Sequence, residues 1–424
     1  MKASAQEVRR RRVFYMPGFD PHPDRRYHRL FREEGARQAA ISGYRLEVGR
    51  AAQGEHRADW SAVYSDDSGA RVETDLRVWS WRDLVSARMS QPLWRRALRG
   101  YGAYARLIFS GDLFRLGRLA WTPMIPTLYP LAAVTFYLLL SLGAGAAALA
   151  LMVWALGAAG WVLGLVLGAL AARAVFRLLR KRDGRIFAFY LFDTYALMQQ
   201  HARGAAPDLE ERLEAFASDL TAASESGVYD EILVIGHSLG AAFAVEVCGR
   251  AFARDPDLAT RGARIGVLTL GQILSAFSAV GGGRGAEVRR AARLLAARPD
   301  AVWVDVTSQA DGACYALIDP LAGGEAPPSM ARLAGPKLVS GRFRETMGEA
   351  EYAKLRRKWN RLHFQYLHAF ERPGIFEYFA ICAGPLSLAT RFAGLRSSRR
   401  GPPLAAEVEG AEAASASEFA AAPA

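Results

Sequence analysis

Ile232-Leu-Val-Ile-Gly236-His237-Ser238-Leu239-Gly240-Ala241 is an apolar strand that runs through a glycine-flanked serine into an alanine-rich helix, expected over 239–253. The pattern is G-x-S-x-G between a strand and a helix, the context in which that motif presents a nucleophile. A serine at the tip of such a turn must adopt a strained backbone conformation. Glycines two positions away on either side leave room for the turn to be tight. The helix N-terminus then directs its positive end at negative charge developing beside the serine. A serine that merely caps the helix would give the same five letters.

Outward from this stretch the pattern alternates. Helix 208–225, strand 231–235, helix 239–253, strand 264–270, helix 286–297 and strand 301–306 follow one another. That order implies crossover units and a parallel sheet. Toward the N-terminus, a strand is expected at 13–16, a helix at 27–40 and a strand at 44–48, with strand-like stretches at 60–64 and 72–79. A further helical stretch lies near 186–201. The expected fold class is α/β, a mostly parallel sheet flanked by helices, with an inserted two-helix transmembrane hairpin.

The insertion rests on a run from Leu119 to Ala172 of 54 residues without a charged side chain. One crossing needs about 20 residues, so two are expected, near 125–142 and 147–170, with the turn near Ser141 to Gly145. Eight arginines lie from Arg82 to Arg118, against Asp83 and Asp112. Arg173, Arg177, Arg180, Lys181, Arg182 and Arg185 follow the run, against Asp183 alone. Two basic flanks place both ends of the hairpin, and the remainder of the chain, on the cytoplasmic side. Segment 91–121 mixes Trp94, Tyr101, Tyr104, Phe109 and Phe114 with arginines, as an interfacial helix on anionic lipid does. A basic solvated helix is the plainer reading. The organisation is therefore 1–90 as the N-terminal part of the sheet, 91–121 as the interfacial segment, 122–175 as the hairpin, 186–395 as the main part, and 396–424 as a disordered tail poor in large apolar groups.

Composition excludes several classes. Of 424 residues, 51% are hydrophobic and 23% charged, which rules out a mainly disordered chain. The net charge of +12 calls for an anionic neighbour. No nucleic-acid motif accompanies it, so lipid is expected rather than nucleic acid. Three widely spaced cysteines form neither a zinc ribbon nor a disulfide framework. Neither GxxxxGK[ST] nor HExxH occurs, so no nucleotide, metal or other cofactor is expected. The first residues are basic and polar with no apolar run behind them, unlike a signal peptide.

With Gly236-His237-Ser238-Leu239-Gly240, the chain resembles the α/β-hydrolase superfamily, in particular its lipases and esterases. The resemblance covers 13–48 and 208–370. It implies a Ser, acid, His order along the chain. Only His363 and His368 follow Ser238, and a general base working near neutrality is a histidine. His363, in Trp359-Asn-Arg-Leu-His363-Phe-Gln-Tyr366, carries an H-x-x-Y spacing similar to the histidine region of several lipases; His368 is the alternate. For the acid, Asp311 in the loop after strand 301–306 fits the family's strand–loop–Asp pattern; Asp305 within the strand is the alternate, and Asp319 stands further on. The oxyanion hole implied by the family takes one amide from Leu239 and one from the loop after the first strand. Here Pro17-Gly18 replaces the usual His-Gly, leaving Phe19 as donor because proline has no N–H. The resemblance implies a serine hydrolase that cleaves carboxylic esters through an acyl-enzyme; the apolar run anchors it to a membrane, and that location argues for a lipid or other amphiphilic ester. The alternatives are a catalytically inactive membrane scaffold on the same fold, or an acyltransferase with the same triad.

Overall fold

The computed structural model describes residues 7–279, 283–322 and 335–398. The expected tail falls outside them from residue 399 on. Among the described residues, nine strands form one mixed sheet: β1 Arg10–Met16, β2 Arg45–Val48, β3 Ala52–Gln53, β4 Arg57–Ser65, β5 Arg71–Trp79, β6 Glu231–His237, β7 Arg264–Leu270, β8 Ala301–Thr307 and β9 Lys337–Ser340. Their order is β2-β4-β5-β1-β6-β7-β8-β9, with β3 paired to β4. From β5 through β9 every pairing is parallel, and β2, β3 and β5 pair antiparallel with β4. The protein is thus α/β, with a mostly parallel and partly antiparallel sheet flanked by helices.

The two halves of the sheet read differently because they are buried differently. β4 alternates, with Ala58, Trp60, Ala62 and Tyr64 inward and their neighbours more exposed. β6 is buried at all seven positions, as a central parallel strand covered on both faces is. Helix Pro23–Ser42 and helix Tyr378–Ala383 cover one face, with Tyr27 on Tyr15, Phe31 on Trp60, and Phe379 on Phe31. Helices Pro207–Glu225, Leu239–Arg254 and Gly283–Ala296 cover the other, where Phe216 stacks on Trp79 and Trp79 on Phe14.

The centre of the sheet is tied by a buried ion pair between β1 and β6. Arg11 donates Nε–H to Glu231 Oε2 at 2.7 Å, and its other two nitrogens reach the carbonyls of Gly384 and Leu386. Glu231 also accepts the Leu388 amide. Each charge is therefore both paired and hydrogen-bonded, the condition under which a buried pair is tolerated.

The chain divides into two compact units: Met1–Ala87, Ser110–Pro123 and Gln200–Ala424 in the first, and Arg88–Phe109 with Met124–Gln199 in the second. In the second unit the turn expected near Ser141 to Gly145 is absent. Helix Met124–Leu156 runs straight through it, and the chain reverses at Gly157–Ala159 into helix Gly160–Arg182. The physical reason is packing. A Cβ on Gly145 would sit 2.9 Å from Gly168 O, so this glycine is where the two backbones approach, as small residues allow in apolar helix pairs. The positive φ of 59° falls instead at Gly157. The stretch Met124–Arg185 is long and apolar enough to cross a membrane and is mostly exposed. The segment expected as one interfacial helix over 91–121 is two helices, Leu93–Phe109 and Asp112–Leu119, broken at Gly111 with φ 76°.

Candidate active site

The site residues gather at the C-terminal ends of β1, β6, β7 and β8. From β1 the chain first builds the β2–β5 side of the sheet, then returns to β6 and proceeds toward β9. The β1/β6 gap is thus a topological switch point, where parallel α/β sheets open a crevice. Ser238 sits there with φ 59° and ψ −123°. An ordinary helix-capping serine lies in the β region and bonds the first turn; the Ser238 side chain makes no capping bond. Its flanking glycines are required by contact. A Cβ on Gly240 would meet Met16 O at 2.2 Å, and one on Gly236 would meet Gly240 O at 2.5 Å. Both are backbone atoms that have no rotamer to change.

Behind β6, the Ser238 amide donates to Leu270 O at 2.9 Å, holding the elbow against the end of β7. Leu239 is the first helical residue, so its N–H has no carbonyl one turn back. The loop after β1 faces it: a Cβ on Gly18 would lie 3.4 Å from Ser238 Cβ and 3.7 Å from Leu239 N. Trp81 fixes that loop by donating Nε1–H to Pro17 O at 3.1 Å, and the buried Phe19 ring stands edge-on to Trp81.

His363 Nδ1 and Asp311 Oδ2 are 2.8 Å apart. Burial pushes the Asp311 carboxyl up, but His363 and the Ala313 amide outweigh it, and the group ends below its ordinary value. A carboxylate accepts only, so Nδ1 carries the proton of this contact. Tyr366 adds its hydroxyl to the same Oδ2 at 3.1 Å while accepting the Ser308 amide at 2.9 Å. Gly271, just past β7, passes close by: a Cβ there would meet Asp311 Oδ2 at 3.1 Å and His363 Cε1 at 3.3 Å.

His237 joins the histidine segment to the elbow. Its Nε2–H donates to the His363 carbonyl at 2.8 Å, and the two rings are 4.8 Å apart. Burial, with His363 beside it, pushes His237 down to about 3, so it is a neutral donor across the physiological range. Sequence reasoning gave it no role because it occupies a variable position of the motif. Tyr366 had a signal in the H-x-x-Y spacing, but its contact with Asp311 did not. The Ser238 hydroxyl itself makes no hydrogen bond to His363 among the described residues.

The alternates lie elsewhere in the network. Asp305 accepts from Thr269 Oγ1 at 2.6 Å, and burial pushes it up to about 8. His368 Nδ1–H donates to Phe364 O at 2.8 Å. Asp319 accepts the Leu321 amide at 2.9 Å. Of the three candidate acids, Asp311 is the one bonded to a histidine.

A second buried cluster went unread in the sequence because its members are 9 and 36 residues apart. His201, Glu210 and Glu246 bring ligand-type atoms within 4.8 Å of one another, a spacing that could hold a metal ion. Arg250 bridges both glutamates. Burial lowers His201, but Glu246 and Glu210 outweigh that and raise it to about 9. At neutral pH a proton, rather than a lone pair, therefore faces each carboxylate. A group raised in the folded state stabilises most below its unfolded value and loses that contribution as pH rises through its folded value. Wild-type thermal stability should accordingly fall between pH 6.5 and about 9, by an amount on the order of 3 kcal/mol. His201→Ala should be less stable at pH 6 and lack that slope. An identical pH profile for the variant would contradict this assignment.

Compared with protein-family models, curated proteins and solved structures, the chain has no match.

Proposed function

We propose that this protein is a serine hydrolase of the α/β-hydrolase kind, attached to a membrane and acting on carboxylic esters. The observation that carries the reading is the Ser238 backbone at φ 59° between Gly236 and Gly240, together with the Asp311–His363 contact on the neighbouring loops. Ser238 Oγ attacks the ester carbonyl carbon as His363 Nε2 takes its proton. Asp311 holds the imidazole by Nδ1–H and stabilises the imidazolium. The amides of Leu239 and Phe19 receive the oxyanion. His363 returns the proton to the leaving alcohol. Water, deprotonated in turn by His363, releases the acid and restores Ser238. An acceptor alcohol in place of that water would make the same acyl-enzyme a transferase.

The missing Ser238–His363 hydrogen bond favours the inactive scaffold as second reading. Apo sites often close that contact only with substrate. Purified protein incubated with a fluorophosphonate probe separates the two: stable labelling supports the hydrolase, and none leaves the scaffold.

The apolar stretch Met124–Arg185 is the attachment. Two crossings with cytoplasmic flanks, and hence a cytoplasmic catalytic part, remain the topology its charge pattern supports best. With the reversal at Gly157–Ala159, reporters belong after Arg118, at Gly157 and after Arg185. Cytoplasmic, external and cytoplasmic signals are expected. A cytoplasmic signal at all three would mean that the pair does not cross.

A further inference from the structure

Helix Leu93–Phe109 carries three sectors, each with different chemistry. At about 100° per residue, Arg96, Gly100, Ala103, Tyr104 and Leu107 share one sector, and all five are buried. This is the inward face, yet it holds a charge. Arg96 donates from Nε and Nη2 to the two carboxylate oxygens of Asp193, with both side chains 4% exposed. The opposite sector carries Trp94, Leu98, Ile108 and Phe109, which are 63%, 69%, 44% and 88% exposed. Between them Arg95 and Arg106 form an exposed basic flank. For a helix in water this arrangement is inverted, because the ion pair is inside and the large apolar groups are outside.

The inward sector fixes where this face stands. Gly100 lies so close to Phe192 that a Cβ would overlap the ring. Tyr104 donates to Thr127 O at 2.8 Å, and Tyr101 meets Thr135 at 3.0 Å. Thr127 and Thr135 belong to the first turns of helix Met124–Leu156. The helix is therefore held against the base of the apolar stretch, and the bidentate pair with Asp193 leaves it little freedom to roll.

We propose that the face formed by Trp94, Leu98, Ile108 and Phe109 is a docking surface for an anionic bilayer leaflet, with Arg95 and Arg106 on the lipid phosphates. It rests on the membrane attachment proposed above. Charge complementarity selects this occupant. A row of apolar anchors flanked by arginines matches acyl chains beneath anionic headgroups, and the surface adjoins the element apolar enough to enter the same membrane.

The native cysteines Cys248, Cys314 and Cys382 are buried, so maleimide chemistry can address one introduced thiol. The full chain carrying Leu98→Cys, labelled with an environment-sensitive fluorophore, is reconstituted in vesicles of neutral lipid with about 30% anionic lipid. Lipids brominated on their acyl chains should quench the label by about twofold or more. A label at Asp67→Cys, on an exposed surface position, should be unaffected. Adding Arg95→Glu and Arg106→Glu should reduce quenching to the level seen in neutral vesicles. A water-exposed Leu98 label on a chain that floats with the vesicles overturns the docking surface alone. A label shielded from water but beyond reach of the bromines means that protein covers the face, and also overturns it. A chain that fails to float removes the membrane attachment as well. None of these readouts depends on Ser238.

Discussion

Ser238→Ala is expected to abolish covalent labelling by a fluorophosphonate probe and to reduce ester hydrolysis by about 10^4-fold or more. The size follows from the role. A nucleophile has no substitute within the site, and what survives its loss is transition-state binding by the oxyanion amides alone. The fold should not register the change. The Ser238 side chain caps nothing, and an alanine at φ 59° meets the same backbone strain as a serine. Its thermal midpoint should therefore stay close to wild type, so lost labelling reports chemistry rather than unfolding. Undiminished labelling of the variant would place the reactive group elsewhere and end the proposal for this elbow.

Asp311→Asn and Asp305→Asn should behave as opposites, although the two residues are six apart. Asp311 is held below its ordinary value despite burial, by His363 and the Ala313 amide. An asparagine there can donate to Nδ1 and so stabilise the wrong tautomer, at a cost of about 10^4 in kcat. Asp305 should be nearly silent in activity and conspicuous in stability. Burial, with Asp319 nearby, raises it to about 8, and among the described residues Oδ2 has no hydrogen-bond partner. A carboxyl raised in the folded state binds its proton more tightly there than in the unfolded chain. Its burden on stability thus grows as pH rises from the ordinary carboxylate value toward about 8. Asp305→Asn should remove that decline and gain stability over wild type at pH 8. Activity profiles and thermal midpoints from pH 5 to 9 test both halves. Loss of turnover in Asp305→Asn with full turnover in Asp311→Asn would reverse the assignment.

The parallel core was legible because its strands are continuous apolar runs. Strand 264–270 was read at its observed bounds, and the elbow was placed to the residue. The antiparallel flank was legible only as separate strands. Alternation in Trp60, Ala62 and Tyr64 says which side is buried but not which neighbour pairs. β9, four residues long, offers too little pattern to register. The hairpin turn was misplaced because the uncharged run contains several glycines and no charged side chain to rank them. Gly145 serves close packing and Gly157 serves the reversal, a distinction that exists only once two helices face each other. Asp311 was preferred to Asp305 for its place in the loop beyond the strand, and the fold shows that it is the carboxylate that meets a histidine. His237 and the His201 cluster lay beyond reading, since their partners are remote in the chain.

The buried Arg11–Glu231 pair sets an order of events during synthesis. β1 lies in the middle of the sheet, yet its partner strand β6 begins 221 positions after Arg10. Every residue from Leu119 to Ala172 leaves the ribosome before β6 exists. Under the proposed membrane attachment, the apolar stretch enters the bilayer while β1 still has one open edge and Arg11 lacks its counter-ion. On that proposal, completion of the sheet follows membrane engagement rather than preceding it. A chain stalled ahead of Glu231 would present that open edge to whatever strand or chaperone comes first.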